Sequence, residues 1–303
     1  MTPGSGEGRV PSTARRLRKA LQKRGTQATI RTYHDLNELV RWAQTCKADF
    51  THLVGVGGDA TQSAVALAAV RCSVPFVPVP NGFGNMFARA FGHPDRVGKI
   101  VDVLEHGELR RVDVGIANDD ELFLSHRSYG PLQQIQDEVE EGRRQPARRL
   151  ARHLAYYAMA KRFLIDARPS PIRVEVDGSL VAANAGLVTV ANVETYRGFL
   201  SLTPTASPTD GLFDIFIVPF TSRLRLNLRL LWLLLKAPGR WNGVMLCRGR
   251  RVVVTVNERR REELRTARGA LPLLVPRGSV ESLAQRTRET DAPPIERGVA
   301  RAR

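Results

Sequence analysis

The chain has 303 residues, 43% apolar and 25% charged, which suits a globular protein of about two domains with substantial cores. Its 46 Lys and Arg against 30 Asp and Glu leave a net charge of +16, carried mostly by arginine, so the expected partners are polyanions: nucleic acid, anionic lipid headgroups or phosphorylated ligands. Cys46, Cys72 and Cys247 are odd in number and far apart, and the 6 histidines are scattered, so neither a disulfide framework nor a zinc site is expected. With no apolar leader and no apolar run of membrane-spanning length, the expected location is cytoplasmic.

In chain order, residues 14–23 read as a basic helix and 27–32 as a short strand. Asp35 opens a helix, with Glu38 three positions on as a capping box. Residues 51–56 read as a strand, 61–70 as a helix rich in Ala and Val, and 76–79 as a buried strand; 85–91 and 94–106 read as helices. Strands and helices alternating at this spacing predict a parallel sheet with helices on both faces. Near Arg110 the texture changes. Residues 112–116, 121–125, 172–176, 187–191, 212–218 and 251–256 read as strands separated by turn signals such as Asn118-Asp119-Asp120 and Asp177-Gly178. This predicts an antiparallel, sandwich-like second domain, interrupted by helices over 147–165 and 224–236. Residues 271–275 are apolar enough to return to the first sheet. Beyond residue 285 the chain is rich in Arg, Pro and Glu without periodicity, the pattern of a disordered tail.

Two stretches carry chemistry. The strand ending at Val56 runs into Gly57-Gly58-Asp59-Ala60-Thr61 and then a helix. Glycines after a parallel strand let the backbone turn sharply and approach a ligand, and the helix N-terminus beyond offers free N–H groups to an anion. Asp59 is the group able to act on a metal or a hydroxyl, and Thr61 can cap the helix or bond a phosphate oxygen. The plain alternative is a tight turn with Asp59 or Thr61 as an ordinary N-cap. The second stretch, Val77-Pro78-Val79-Pro80 into Asn81-Gly82-Phe83-Gly84-Asn85, repeats the arrangement, with Asn85 as N-cap. Loops at the carboxyl ends of neighbouring strands converge on one crevice in a doubly wound sheet, so the two could clasp one nucleotide.

Gly57–Thr61, the run Pro80–Gly92, the strand at 110–115 and the stretch at 203–218 (TPTASPTDGLFDIFIV) together resemble the diacylglycerol kinase catalytic-domain family, which includes bacterial lipid kinases and sphingosine kinases. Pro3-Gly4-Ser5-Gly6 is similar to the end of that family's first loop, without the strand before it. The resemblance implies an α/β fold: a Rossmann-like nucleotide-binding N-terminal domain over 1–110, with 271–285 a candidate to return to it, and an antiparallel β-sandwich C-terminal domain for the lipid substrate over 111–270, before a tail at 286–303. It further implies ATP in the cleft, bound by Gly57, Gly58, Asp59, Ala60, Thr61 and Gln62, with Gly82, Phe83 and Asn85 from the second loop and Thr32 as a further nucleotide contact. Ser207, Asp210 and Leu212 match positions that hold a structural Mg²⁺ in bacterial members, mostly through backbone carbonyls, with the Asp210 carboxylate suited to that cation; the plain alternative is that Asp210-Gly211 is a turn opening a strand.

Three departures stand out. Ala60 replaces a glycine, which would strain a left-handed backbone there by roughly 1–2 kcal/mol. Phe83 stands where a Thr contacts the nucleotide. After the strand at 251–256 the family carries D-G-E, its Asp acting as general base, and this chain has Asn257-Glu258-Arg259. An amide cannot take the proton. Glu258 is the nearest substitute, although on an extended strand it would leave the opposite face, and Asp59 is the other candidate base.

The leading expectation is an ATP- and Mg²⁺-dependent lipid kinase acting on a lipid alcohol; the alternative is a catalytically silent relative that binds nucleotide or anionic lipid as a sensor or scaffold. NAD kinases share the GGD turn, but the second loop and the TDGLFD run fit the lipid branch better. No specific nucleic-acid motif is present. The apolar segment 224–236, flanked by Arg223, Arg225, Arg229, Lys236 and Arg240, either covers the second domain or rests on an anionic membrane surface as a peripheral contact. Arg127 and Asp137 fall in the segment where relatives bind lipid headgroups. A homodimer is left open.

Overall fold

The computed structural model describes residues 12–33, 35–47, 49–82, 84–118, 120–130, 171–194, 196–197, 200–220, 222 and 244–278. In the first half these form α1 (Ser12–Lys23), α2 (Leu36–Thr45), β1 (Leu53–Gly57), α3 (Asp59–Cys72), β2 (Phe76–Pro80), α4 (Met86–Ala90) and α5 (Val97–His106). Asp35 caps α2 as its sequence indicates, its carboxylate accepting the Glu38 N–H at 2.8 Å. β1 and β2 pair parallel, from Leu53 opposite Phe76 to Gly57 opposite Pro80, so both strands end level. α3 buries Ala64, Val65, Ala66, Ala68 and Ala69, small side chains that let the helix lie close to its neighbours. Close approach extends to β1, where a Cβ on Gly55 would stand 2.9 Å from the Phe76 ring.

The strand expected over 27–32 does not form. These residues join no ladder, and the described ladder partner of β1 is β2 alone. Ala28 and Ile30 nonetheless pack against a core that includes Leu17, Leu21, Val56 and Val79. Apolar contact holds the segment in place without the neighbouring N–H and C=O groups that a strand requires.

The second half comprises β3 (Glu108–Ala117), β4 (Glu121–Phe123), β5 (His126–Tyr129), β6 (Ile172–Val176), β7 (Ser179–Ala191), β8 (Tyr196–Arg197), β9 (Leu200–Ser201), β10 (Phe213–Pro219), β11 (Met245–Gly249), β12 (Arg251–Val256) and β13 (Arg260–Val275). The hydrogen-bonded order is β1-β2-β13-β12-β6-β7-β10-β11, with β3, β4 and β5 branching from it. β13 joins the two halves. Its first part pairs antiparallel with β12, its end pairs parallel with β2 (Leu273 opposite Phe76), and β3 runs antiparallel along both parts. A bulge between Ala267 and Leu271, with Gly269 at φ 57°, bends the strand between them. Below the bend, Phe123, Tyr129, Ile172, Val174, Val188, Phe213, Ile215 and Leu264 enclose a core separate from the one around α3. The class is mixed α/β, as expected.

β5, β11 and the first part of β13 carry no plain strand pattern in the sequence; in β13 the Arg- and Glu-rich residues hide alternating burial of Glu262 and Leu264. The helices expected at 147–165 and 224–236, Phe83, Asp137 and the tail at 286–303 lie outside the described residues. Among the described residues, no helix is long and apolar enough to cross a membrane.

Candidate active site

The two glycine turns meet. At the carboxyl ends of β1 and β2, a Cβ on Gly82 would stand 2.5 Å from the Gly58 Cα, so glycine at 82 is what lets the loops touch. Main chain and buried side chains hold them together. Asn81 N–H donates to the Gly57 carbonyl (3.1 Å). Gln62, fully buried, donates through Nε2 to the carbonyls of Gly57 (3.0 Å) and Val79 (3.3 Å), joining the two strand ends. Asn85 closes its own loop, accepting the Gly82 N–H (2.9 Å) and donating to the Gly82 carbonyl (2.8 Å), with its backbone left-handed at φ 50°.

Asp59 belongs to both loops. It is the first residue of α3, yet its carboxylate accepts the Met86 N–H at 2.9 Å and so caps α4 across the cleft. A Cβ on Gly84 would lie 2.7 Å from the other carboxylate oxygen, which shows how tightly the second loop wraps it. Burial pushes the Asp59 carboxyl above its ordinary value, against the opposing pull of the Met86, Phe87 and Asn85 amides. Asp59 is thus a positioning group between the loops as well as a carboxylate in the crevice. Thr61 is buried and fills the space a Gly57 side chain would need, a Cβ there coming within 2.7 Å of it. Gly58 caps α3 without a side-chain bond, and Ala60 is exposed, so the start of this helix is open to an anionic ligand. The strain expected at Ala60 is absent: the residue is helical, outside the positive-φ set. Thr32 is exposed and stands beside Tyr33, whose ring lies 5.5 Å from that of Trp42, with the Arg31 guanidinium 5.9 Å from the same indole.

The stretch expected to hold Mg²⁺ is arranged differently. Asp210 accepts the Leu212 N–H at 3.0 Å through one oxygen and an Arg248 Nη2 ion pair through the other, while Arg248 Nε is 3.1 Å from Asp214. Ser207 shares its hydroxyl proton with Thr209 at 3.0 Å. The Arg248 guanidinium thus neutralises the Asp210 carboxylate, the one side chain of the three expected to suit Mg²⁺. Among the described residues, no group of three His, Cys, Asp or Glu side chains could hold a metal ion.

Behind this loop lies Asp113, a residue the sequence reading gave no role. It is 2% exposed, accepts the Gly211 N–H (2.6 Å) and the Gly269 N–H (2.7 Å), and so ties the Asp210 loop and the β13 bulge to β3. A carboxylate set within the apolar stretch Val112–Ala117 of β3 was the available signal.

Asn257 and Glu258 form the exposed turn between β12 and β13, both left-handed at φ 52° and 57°. The extended strand assumed for Glu258 is therefore replaced by a turn, and the Asn257 N–H donates to the Pro171 carbonyl (3.0 Å). The buried carboxylate of this hairpin is Glu262, 4% exposed, with Arg127 at 3.9 Å and Arg260 at 3.8 Å. Arg127 also pairs with Glu121 and lies 5.6 Å from the centre of the Phe123 ring.

Comparison with known proteins accounts for this arrangement. The profile of the diacylglycerol kinase catalytic domain matches residues 1–117, and that of the YegS C-terminal NAD kinase beta sandwich-like domain matches 136–271. The chain belongs to the diacylglycerol kinase catalytic-domain family. A diacylglycerol kinase of Bacillus subtilis is 29% identical over 191 residues, 58% of this chain and 61% of that one, so the match spans about three fifths of that relative. A diacylglycerol kinase of Mycobacterium tuberculosis is 28% identical over 230 residues, 74% of this chain and 73% of that one. The crystal structure of a diacylglycerol kinase from Bacillus anthracis shares the fold, with a TM-score of 0.65 at 16% identity over 91% of this chain and 95% of that one. The two matched regions of the family correspond to the α/β half and the β-rich half seen here.

Proposed function

We propose that this member of the lipid kinase family binds ATP between its two glycine turns and transfers the γ-phosphate to a lipid alcohol. The observation that carries this reading is the contact of Gly58 with Gly82 at the level ends of two parallel strands, beside a helix that begins without a side-chain cap. The N–H groups of the first α3 turn would take the phosphates, exploiting the partial positive charge of the helix end. Asp59, held by the Met86 N–H, keeps the second loop in place and sets a carboxylate beside the reacting groups. Phosphoryl transfer depends on positioning and charge stabilisation more than on covalent participation by the protein, and a rigid pair of loops supplies the first. Mg²⁺ would accompany the nucleotide, and no step is routed through Ser207, Asp210 or Leu212.

A second reading, nucleotide or anionic-lipid binding without turnover, draws on a different observation. Asn257 replaces the family's base and Glu258 lies in an exposed turn, so a base-dependent step would lose roughly 10²–10⁴-fold in rate. The discriminating experiment incubates purified protein with γ-labelled ATP, Mg²⁺ and mixed micelles of lipid alcohols, alongside Asp59→Asn, which keeps an acceptor for the Met86 N–H but loses the charge. Label in the lipid that disappears with Asp59→Asn supports the kinase. Thermal stabilisation by ATP without label supports the silent reading, and the absence of both sinks the nucleotide site.

A further inference from the structure

Cys46 and Cys72 are 26 positions apart in sequence, yet the fold sets their sulfurs 2.9 Å from each other. Cys46 is the C-cap of α2 and Cys72 the last residue of α3, so the pair lies where two packed helices end side by side. Such a separation is well inside ordinary sulfur–sulfur van der Waals contact, and the two thiols share a proton; Cys72 Sγ also lies 3.5 Å from the Cys46 carbonyl oxygen. Both side chains are partly exposed, which gives a small oxidant access.

We propose that Cys46 and Cys72 are a dithiol redox site, closing to an intramolecular disulfide when a peroxide or a low-mass disulfide supplies the two-electron oxidant. With a peroxide, the thiolate of one cysteine attacks oxygen, the O–O bond breaks, and that cysteine becomes a sulfenic acid. The sulfur of the other then attacks it, forming S–S and breaking S–O. Overall, two thiols and one hydrogen peroxide give one disulfide and two waters. Burial and the hydrogen bond with Cys72 push the Cys46 thiol up to about 12, despite the nearby Arg71 and Arg31, and the 2.9 Å approach of the two sulfurs is what favours closure.

The position gives the bond a consequence. The segment between the two cysteines contains β1, the Gly57–Thr61 turn and all of α3, so a disulfide would enclose the unit that opens the crevice. Closing a loop of this length restricts the unfolded chain and raises stability. Cys247, on β11, serves as an internal control that stays reduced.

The test uses the full chain, reduced, desalted and then exposed to hydrogen peroxide or oxidised glutathione. Alkylation under denaturing conditions should drop from three labelled cysteines to one, Cys247, with a cross-linked peptide pair joining Cys46 to Cys72. The melting temperature should rise on oxidation and fall back with dithiothreitol, while Cys46→Ser and Cys72→Ser should show no oxidant-dependent rise. Three alkylatable cysteines after oxidation, linkage only between separate chains, or an equal rise in both variants would overturn the proposal. The wild-type mass measurement decides the matter even if a variant fails to fold.

Discussion

Two loop systems in this chain face the same problem, placing charge at the end of a strand, and solve it differently. At Gly57–Thr61 and Gly82–Asn85 the fold relies on backbone: glycines touch, amides pair with carbonyls, and one carboxylate, Asp59, spans the gap. At 207–214 it relies on side-chain charge, with Arg248 between Asp210 and Asp214. Backbone geometry tolerates few substitutions, so the first system keeps the family pattern apart from Ala60 and Phe83, and Ala60 causes no backbone strain. Opposite charges can be rearranged without moving the chain, and in the second system Arg248 balances two carboxylates at once. The contrast teaches that retained motifs mark where the backbone itself is the device.

The largest expected effect lies behind the side-chain system, at its backbone support. Asp113→Ala would leave the buried Gly211 N–H and the part-buried Gly269 N–H unpaired, costing about 3 kcal/mol. Urea denaturation should show a lower midpoint with an unchanged slope; an unchanged midpoint would mean that the Asp210 loop does not depend on β3. Next comes Gly82→Ala in the backbone system. Its methyl would have to displace the Gly58 backbone, at a cost of about 2 kcal/mol, and thermal stabilisation by ATP should vanish. Retention of that stabilisation would show that the contact between the turns is not what shapes the crevice.

How much of this was legible in the sequence follows the same division. The turn-and-helix openings were readable because glycine after a strand has a local cause, and Asp35 announced its own helix. The capping of α4 by Asp59 was not readable, since it joins residues 27 positions apart through tertiary contact. Nor was the Arg248 ion pair, because one arginine among many carries no local mark. Residues 27–32 misled for the same reason: a β-like pattern states that a segment can be a strand, while the neighbour that would make it one is a property of the fold. The approach of Cys46 to Cys72 contradicts the impression of isolated thiols that their spacing gives.

A smaller effect is pH-dependent and lies just beyond α4, the helix that follows the second loop. His93 is buried, neither ring nitrogen has a hydrogen-bond partner in the described structure, and burial lowers its pKa to about 3. The unfolded chain therefore binds more protons than the folded one from about pH 6.5 downward, and stability is lost as pH falls through that window. The slope attributable to His93 is about 1.4 kcal/mol per pH unit. His93→Leu should flatten the profile of unfolding free energy between pH 6.5 and 4.5 while leaving the value at pH 8 nearly unchanged. A variant whose profile runs parallel to wild type would assign the acid sensitivity to other groups.

The smallest expected effect is the sharpest test of the contrast. If Arg248 serves where a cation was expected, EDTA should leave the melting temperature of the wild-type protein unchanged, and added Mg²⁺ without nucleotide should not raise it. Arg248→Gln removes the guanidinium and leaves Asp210 beside Asp214 with their repulsion uncompensated. Because the Arg248 side chain is 41% exposed, water screens much of that repulsion, and the loss should be no more than about 1 kcal/mol. The variant should then gain what the parent lacks, a rise in melting temperature with millimolar Mg²⁺ that EDTA reverses, since two neighbouring carboxylates without a counter-charge attract a hard cation. A wild-type protein already stabilised by Mg²⁺ alone would show that the loop binds metal despite the arginine, and the division between a backbone device and a side-chain device would have to be redrawn.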